Sequence, residues 1–567
     1  LVQHNTVSGY QYLTSAKNRP FLLVFILALI INIAGIATTF FTNDPALYSL
    51  IAKAMVQNHN YIDLMYRGKD WLDKPHFPFW MVALSFNIFG ANTIAYKLPA
   101  LIFYFVSVRY TYLLAKKFYG VETGLIAALI LLTAQHAIMS NTDVRAEPYI
   151  MGLLMGGVYH FANLKERFNI WQLLVASIFT ACAVMTKGIY LLIPIGFAII
   201  GDYVFKRDFK GLLQWRWLMA VVLVALFILP EIYTLYVQFD LHPEKVVFGH
   251  TNVSGIKWFL WDSQFGRFNN TGYIARPDHD YFFFLHTLLW AFAPWTFLLY
   301  AGIFLNVRKI FKGIEQPEYM VLSGALPMLI IFSVSQFQLP FYTNILFPFF
   351  AMITATFVAK VLAANKNRYF TIAQYVVMAL LIIVVTVLAF IIYRPFGMLS
   401  LMPLYGCFTG WFLGAFYKYR GAKWLMLLTC YVSIFVNFYL LTDVYRILLY
   451  YRGEVTAPQY INSNIPANKR VIACFEVPDS FEFYTKRPVE FKQLDSVMAE
   501  HTSNKVVLIG DTLLKHLQKE RISFSMIKAF ENYPNEVITP QFLKQSERYK
   551  TLDHYYLIEI DNPYRNR

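Results

Sequence analysis

Charge is scarce in this sequence: Asp, Glu, Lys and Arg make up 15% of its 567 residues, against about 25% in ordinary soluble domains. Cysteine is scarcer still, with four residues. Cys182, Cys407 and Cys430 fall in apolar runs and Cys474 in the C-terminal tail. Their spacing matches neither a disulfide framework nor a zinc motif, so they read as small hydrophobes. No internal repeat is evident, and the long apolar runs are almost free of carboxylates. Secondary transporters place charged sites near the bilayer midplane, often in paired repeats. The pattern therefore weighs against the alternative reading, a secondary transporter or lipid flippase. The first apolar run follows Lys17 and Arg19 without a small-residue cleavage site and reads as a retained transmembrane helix.

Apolar residues are abundant, at 57%, and they come in long runs. Runs of about 20 apolar residues can cross a bilayer as helices, which satisfy their own backbone hydrogen bonds. Thirteen spans are expected, at 20–41, 96–115, 121–139, 146–163, 170–185, 189–205, 214–237, 283–306, 318–336, 341–360, 370–392, 397–417 and 424–443. The fold class is thus an α-helical polytopic membrane protein. The net charge of +15 would raise the question of nucleic acid in a soluble protein. Here the basic residues cluster between apolar runs: Lys17/Arg19, Lys116/Lys117, Lys165/Arg167, Lys206/Arg207/Lys210, Arg308/Lys309/Lys312, Lys366/Arg368 and Lys418/Arg420/Lys423. All fall on one side when every span is counted, which makes that side and the N-terminus cytoplasmic and leaves no case for a nucleic-acid partner.

The odd number of spans then places the C-terminus outside. A transmembrane domain is expected over 1–448, with two long outer loops, 42–95 and 238–282. The first is expected to hold interfacial amphipathic helices at 46–56 and 61–71. The second, rich in Asp, His, Arg, Asn and Gly, reads as a flexible cover. From 449 to 567 charge rises and short β-rich runs appear at 470–475, 505–509 and 554–560, with a helical stretch at 512–520. This predicts a small soluble α/β domain outside the membrane.

Chemistry-bearing residues collect on the outer side. Asp44-Pro45 follows the first span and suits a helix start, with Asp44 as N-cap and Tyr48 on the same face. Trp71-Leu72-Asp73-Lys74-Pro75-His76 ends the same loop, and the Lys74 ammonium suits a phosphate, or simply snorkels. Asp143-Val144-Arg145-Ala146-Glu147-Pro148 repeats the carboxylate-proline helix start, and either carboxylate suits a cap or a reacting group there. Gly266-Arg267-Phe268 offers a bidentate phosphate ligand. Pro277-Asp278-His279-Asp280-Tyr281 offers His279 as a proton carrier or a surface residue. Tyr342 follows Leu339-Pro340, and Lys187 faces outside as a candidate substrate-binding residue or simply a turn residue. Cations flanked by carboxylates beside lipid suit the holding of a lipid-linked phosphate while a nucleophile attacks.

In this order the motifs Asp44-Pro45-Ala46-Leu47-Tyr48, Asp73-Lys74-Pro75, Arg145-Ala146-Glu147-Pro148, Thr186-Lys187-Gly188, Gly266-Arg267-Phe268 with His279-Asp280-Tyr281, and Leu339-Pro340-Phe341-Tyr342 resemble a known family. It is the aminoarabinose transferase (lipid A modifying) branch of the protein mannosyltransferase-like glycosyltransferases. The resemblance implies the GT-C fold, a bacterial inner membrane location, a polyprenyl (undecaprenyl) phosphate sugar donor, and inverting transfer to lipid A, a glycan or a protein hydroxyl. It implies Asp44 and Glu147 as the active-site acids, with Asp143 as rival to Glu147. Lys74 and Arg267 would hold the carrier phosphate, and Tyr48, Tyr342 and Trp71 would line the site. A divalent ion between Asp44 and Glu147 is compatible with this set but not required. The sequence departs from the family at Pro45, His76, Glu147 and Gln338, where Glu, Pro, Asp and Lys are usual. These changes leave the donor sugar and the acceptor open.

Overall fold

Long apolar segments become helices because lipid offers the backbone no hydrogen-bond partner. The structure, a computed structural model, describes residues 8–15, 18–269, 279–365, 367–391, 402–416, 421–500 and 504–560. Among these, six helices are long and apolar enough to cross a membrane. They are Thr93–Tyr119, Ile170–Lys187, Phe209–Asp240, Pro340–Ala364, Arg368–Ile391 and Ala422–Tyr450. A seventh span is Val121–Thr133 with Gln135–Thr142, bent by 56° between them. The remaining expected spans lie in shorter helices, such as Arg19–Ala34 and Met320–Val334, or in the less apolar Glu147–Glu166. The parts of the expected spans at 392, 397–401 and 417 lie outside the described residues, as do Lys17, Lys366, Lys418 and Arg420.

The chain divides into two compact units. The first comprises Leu1–Ile36, Ala52–Ile383 and Leu404–Phe438; the second comprises Ala37–Ile51, Val384–Pro403 and Tyr439–Arg567. In the first, Thr93–Tyr119 packs on Glu147–Glu166 and on Val121–Thr133, and Glu147–Glu166 packs on Ile170–Lys187. These helices approach closely: a Cβ on Gly152 would stand 2.2 Å from the Phe103 carbonyl oxygen. Small residues serve this purpose in membranes, where packing rather than hydrophobicity holds helices together.

Two expectations for this unit are corrected. Residues 61–71 are not helical but form a hairpin, β1 (Met65–Tyr66) with β2 (Lys69–Asp70). Arg67 and Gly68 turn it at φ 49° and 76°, the left-handed pair that a two-residue hairpin loop requires. The same outer segment also contains an apolar helix, Phe77–Phe89. The span expected at 283–306 is two helices, Phe283–Ala291 and Thr296–Phe311. Pro294 lies in the break, where its ring and missing N–H prevent a continuous helix. In the 238–282 segment the chain forms short helical pieces, Gly255–Lys257, Trp258–Asp262 and Ser263–Asn269, and 270–278 lie outside the described residues.

In the second unit a five-stranded sheet forms from β3 (Arg470–Ala473), β4 (Val489–Phe491), β5 (Lys505–Gly510), β6 (Phe524–Asn532) and β7 (Asp553–Ile560). Its order is β4-β3-β5-β7-β6, with β3 parallel to β4 and β5 and the other pairs antiparallel. Val471, Ala473, Val506 and Leu508 enter one core with Ile461, while Ile472, Val507 and Ile509 enter another with Leu517. Both faces are covered, which is why β5 reads as an unbroken apolar run. The helix Asp511–Lys519 follows β5.

Candidate functional site

The first unit brings five of the sequence-predicted residues together: Glu147, Lys187, Tyr342, Lys74 and Arg267. Glu147 begins the helix Glu147–Glu166 and Lys187 ends the helix Ile170–Lys187. A carboxylate at a helix N-terminus and an ammonium at a C-terminus each complement the macrodipole. The two side chains form an ion pair and are 2% and 6% exposed. Lys187 is therefore no turn residue on the surface. Its ammonium also lies 4.6 Å from the Tyr342 ring centroid and 5.4 Å from that of Phe341. Gly188 follows at φ +121°, and a Cβ there would meet the Gln264 amide at 2.3 Å. The Thr186-Lys187-Gly188 motif thus pairs a buried cation with the residue that lets the chain turn beneath Gln264.

Lys74 and Arg267 meet on Asp73. One carboxylate oxygen of Asp73 accepts from the Lys74 ammonium and the other from the Arg267 guanidinium. Burial alone would raise the Asp73 carboxyl, but the two cations hold it below the usual carboxylate range. Burial and the neighbouring charge of Arg267 push Lys74 down to about 8, and Lys187 adds to the repulsion. Three cations are thus crowded around one carboxylate pair. They line a cleft with Trp258, Phe259 and Gln264. Its free space of about 10 Å³ has room for about one water molecule.

The loop that carries Lys74 is anchored by residues the sequence reading missed. Glu231, inside the helix Trp215–Leu235, accepts from the His76 backbone N–H at 3.0 Å and lies 3.0 Å from His76 Nδ1. His76 Nε2 lies 2.8 Å from the Ile62 carbonyl. Gln238 donates to the Leu64 carbonyl and to Asp70, both at 3.0 Å. Glu231 also lines the cleft. Its signal was one carboxylate in an otherwise apolar run, a costly placement that needs a partner. His76, which stands where the family has proline, is that partner. Tyr190 was also missed; it lies close enough to Tyr342, Glu147 and Arg267 to interact electrostatically with all three.

Other expected residues are placed elsewhere. Trp71 packs edge-on against Phe79, with ring centroids 5.5 Å apart, and its backbone N–H donates to the Leu64 carbonyl at 2.9 Å, so it braces the loop. Asp143 follows the helix Gln135–Thr142 and does not share a helix with Glu147. Its charge acts on the buried Lys97. His279 packs edge-on against Tyr281 at 4.4 Å and is not among the described residues lining the cleft. Gln338 donates to the Asp280 carbonyl at 3.0 Å and accepts from its N–H at 3.1 Å, a brace in place of the family's lysine. Asp44 and Tyr48 fall in the second unit. Their helix, Asn43–Gln57, starts two residues earlier than expected, so Asp44 sits in the first turn instead of capping it. The Asn43 N–H donates to Glu536 at 2.5 Å.

Glu147 is committed to an ammonium, which is not the donor set of a cation site. Among the described residues no group of three or more His, Cys, Asp or Glu is placed to hold a metal ion.

Comparison with known proteins shows what the chain is similar to. Residues 73–233 match the family model described as dolichyl-phosphate-mannose-protein mannosyltransferase, a stretch that includes Lys74, Glu147, Lys187 and Glu231 but not Asp44. An uncharacterised protein of Aquifex aeolicus (strain VF5) is 26% identical over 60% of this chain and 64% of its own length. An undecaprenyl phosphate-α-4-amino-4-deoxy-L-arabinose arabinosyl transferase of Pseudomonas fluorescens (strain Pf0-1) is 24% identical over 65% of this chain and 64% of its own length. The chain thus spans slightly less than two thirds of these relatives. The crystal structure of ArnT from Cupriavidus metallidurans bound to undecaprenyl phosphate superposes with a TM-score of 0.70 at 13% identity, covering 96% of this chain and 98% of that one. This protein is therefore a polytopic membrane protein with the GT-C fold of ArnT, similar in sequence to the aminoarabinose transferases.

Proposed function

We propose that this chain is a membrane glycosyltransferase that moves a sugar from a polyprenyl phosphate donor, undecaprenyl phosphate in a bacterial inner membrane, to an acceptor on the periplasmic face. The acceptor is lipid A, another glycan or a protein hydroxyl. The observation that carries this reading is the crowding of Lys74, Arg267 and Lys187 around one small cleft. Three mutually repelling cations held by carboxylates are a site prepared for an anion. In the structure Asp73 occupies Lys74 and Arg267 together. A donor phosphate takes over these two cations, with the guanidinium binding in a bidentate manner. The cations then offset the charge that grows on the departing polyprenyl phosphate as the glycosidic bond breaks.

Glu147 is assigned a positioning role. Taking a proton would strand Lys187 in a buried setting, so the carboxylate serves to hold that ammonium. The resemblance, not the cleft geometry, assigns the acceptor proton to Asp44 if the acceptor is a hydroxyl. If the acceptor is a phosphate of lipid A, its oxygen is already anionic and Asp44 orients it. Attack opposite the departing phosphate gives inversion at the anomeric carbon. The basic clusters between the apolar runs support a cytoplasmic N-terminus, with the cleft and the C-terminal sheet outside.

Mass spectrometry of lipid A and of envelope glycoproteins, in cells with and without the protein, tests the reading. A glycosyl mass increment that depends on the protein and disappears with Arg267→Ala is expected. An unchanged envelope alongside altered solute uptake would overturn it.

A further inference from the structure

A second cleft, of about 360 Å³, lies far from the first. Tyr342 touches Lys187, and Lys360 lies on the same helical segment, Pro340–Ala364, about 27 Å further along at 1.5 Å per residue. Lys360 lines the second cleft with Gln316, Glu318, Ile310, Leu322 and Ile353. The Lys360 ammonium lies beside that of Lys309, which donates to Gln316 at 3.4 Å. Among the described residues neither lysine has a carboxylate partner. Glu318 is the one acid in the lining, and it is engaged by the Tyr119 hydroxyl and by the Val321 N–H at 2.9 Å.

Lys309 sits in the last turn of the helix Thr296–Phe311, where a cation complements the dipole, whereas Lys360 lies more than a turn before the end of Phe347–Ala364. The dipole accounts for Lys309 but not for a second ammonium beside it. Ile310, Leu322 and Ile353 form an apolar wall in the same cleft. Paired cations beside an apolar wall suit a lipid with a charged head.

We propose that this cleft binds an anionic phospholipid, with the headgroup phosphodiester between Lys309 and Lys360 and an acyl chain along Ile310, Leu322 and Ile353. The charge complementarity selects anionic over zwitterionic lipid. The site is separate from the donor cleft and does not depend on the glycosyltransferase reading.

Native mass spectrometry of the purified full-length chain, with phosphatidylglycerol or phosphatidylcholine added in equal amount, provides the test. One retained phosphatidylglycerol with preference over phosphatidylcholine is expected. Lys309→Gln with Lys360→Gln lowers that preference about thirtyfold, from the contribution of two interfacial lysines. The double Arg variant retains it, Lys210→Gln retains it, and Arg267→Ala retains it. An unchanged melting temperature in neutral detergent shows that the Gln variant is folded; if it is not, the single substitutions, each expected to cost about fivefold, replace it. The proposal is overturned if the wild-type chain shows no lipid preference or if the Gln variants keep it. It is also overturned if inorganic phosphate displaces the lipid at equal concentration, or if Arg267→Ala alone removes it.

Discussion

The Glu147–Lys187 pair lends itself to a double-mutant cycle. The two groups are 2% and 6% exposed, so neither is screened by solvent. Removing one partner leaves the other as an uncompensated buried charge, which costs about 3–5 kcal/mol. Glu147→Gln and Lys187→Met should each destabilise the purified protein by that amount. Replacing both removes both charges, and such exchanges are about neutral in stability. The cycle should therefore return a coupling energy of several kcal/mol. Unfolding in mixed micelles at a fixed pH near 7 measures it. Sugar transfer should follow a different pattern. The double variant regains stability but not activity, because the cleft has lost the Lys187 charge and its contacts with Phe341 and Tyr342. Single variants costing less than 1 kcal/mol, or additive effects, would refute the buried-pair reasoning. Recovery of transfer in the double variant would refute the role of Lys187 in the cleft.

Lys74 predicts an alkaline limit. Its ammonium, pushed down to about 8, is charged below that pH and neutral above it, so kcat/KM for the donor should fall as pH rises through about 8. In Lys74→Arg the guanidinium stays charged, and the limit should move upward in whatever activity remains; an unchanged profile would separate Lys74 from the effect. Gly188→Ala should destabilise by about 1–3 kcal/mol for its left-handed φ and lower transfer, and adding Gln264→Ala should restore only part, as thermal melting and turnover would show. Glu231→Leu removes both contacts to His76 and should cost about 1–3 kcal/mol. Because it loosens the Lys74 loop, it should raise KM for the donor more than it lowers kcat.

Much of this arrangement was legible where the signal is local. Proline after Glu147 marks a helix start, and the helix does begin there. Short β-rich runs flanked by polar residues mark β3, β5 and β7, while β4 and β6 were missed because β4 is three residues long and β6 leaves much of its face exposed. The hairpin at Met65–Asp70 was read as helix because its apolar residues fit either period; Gly68 was the overlooked sign. The partners of the cleft residues were the hidden part. Glu231 pairs with His76 across 155 residues and Arg267 with Asp73 across 194, and no local pattern encodes such distances. Asp73 was visible in its motif, but its role follows only from the two cations it joins. Lys187 is visible as a candidate in its motif, but its ion pair with Glu147 and its contacts with Phe341 and Tyr342 come from distant segments.

The direct test of the central claim is binding and turnover of an undecaprenyl phosphate-linked sugar by the purified full-length chain in nanodiscs. Release of undecaprenyl phosphate with acceptor present is expected, falling by about 10²- to 10³-fold in Arg267→Ala, the loss typical of one charge-stabilising donor. A wild-type chain that neither binds nor turns over any polyprenyl phosphate sugar, or an Arg267→Ala variant with full activity, would contradict the account.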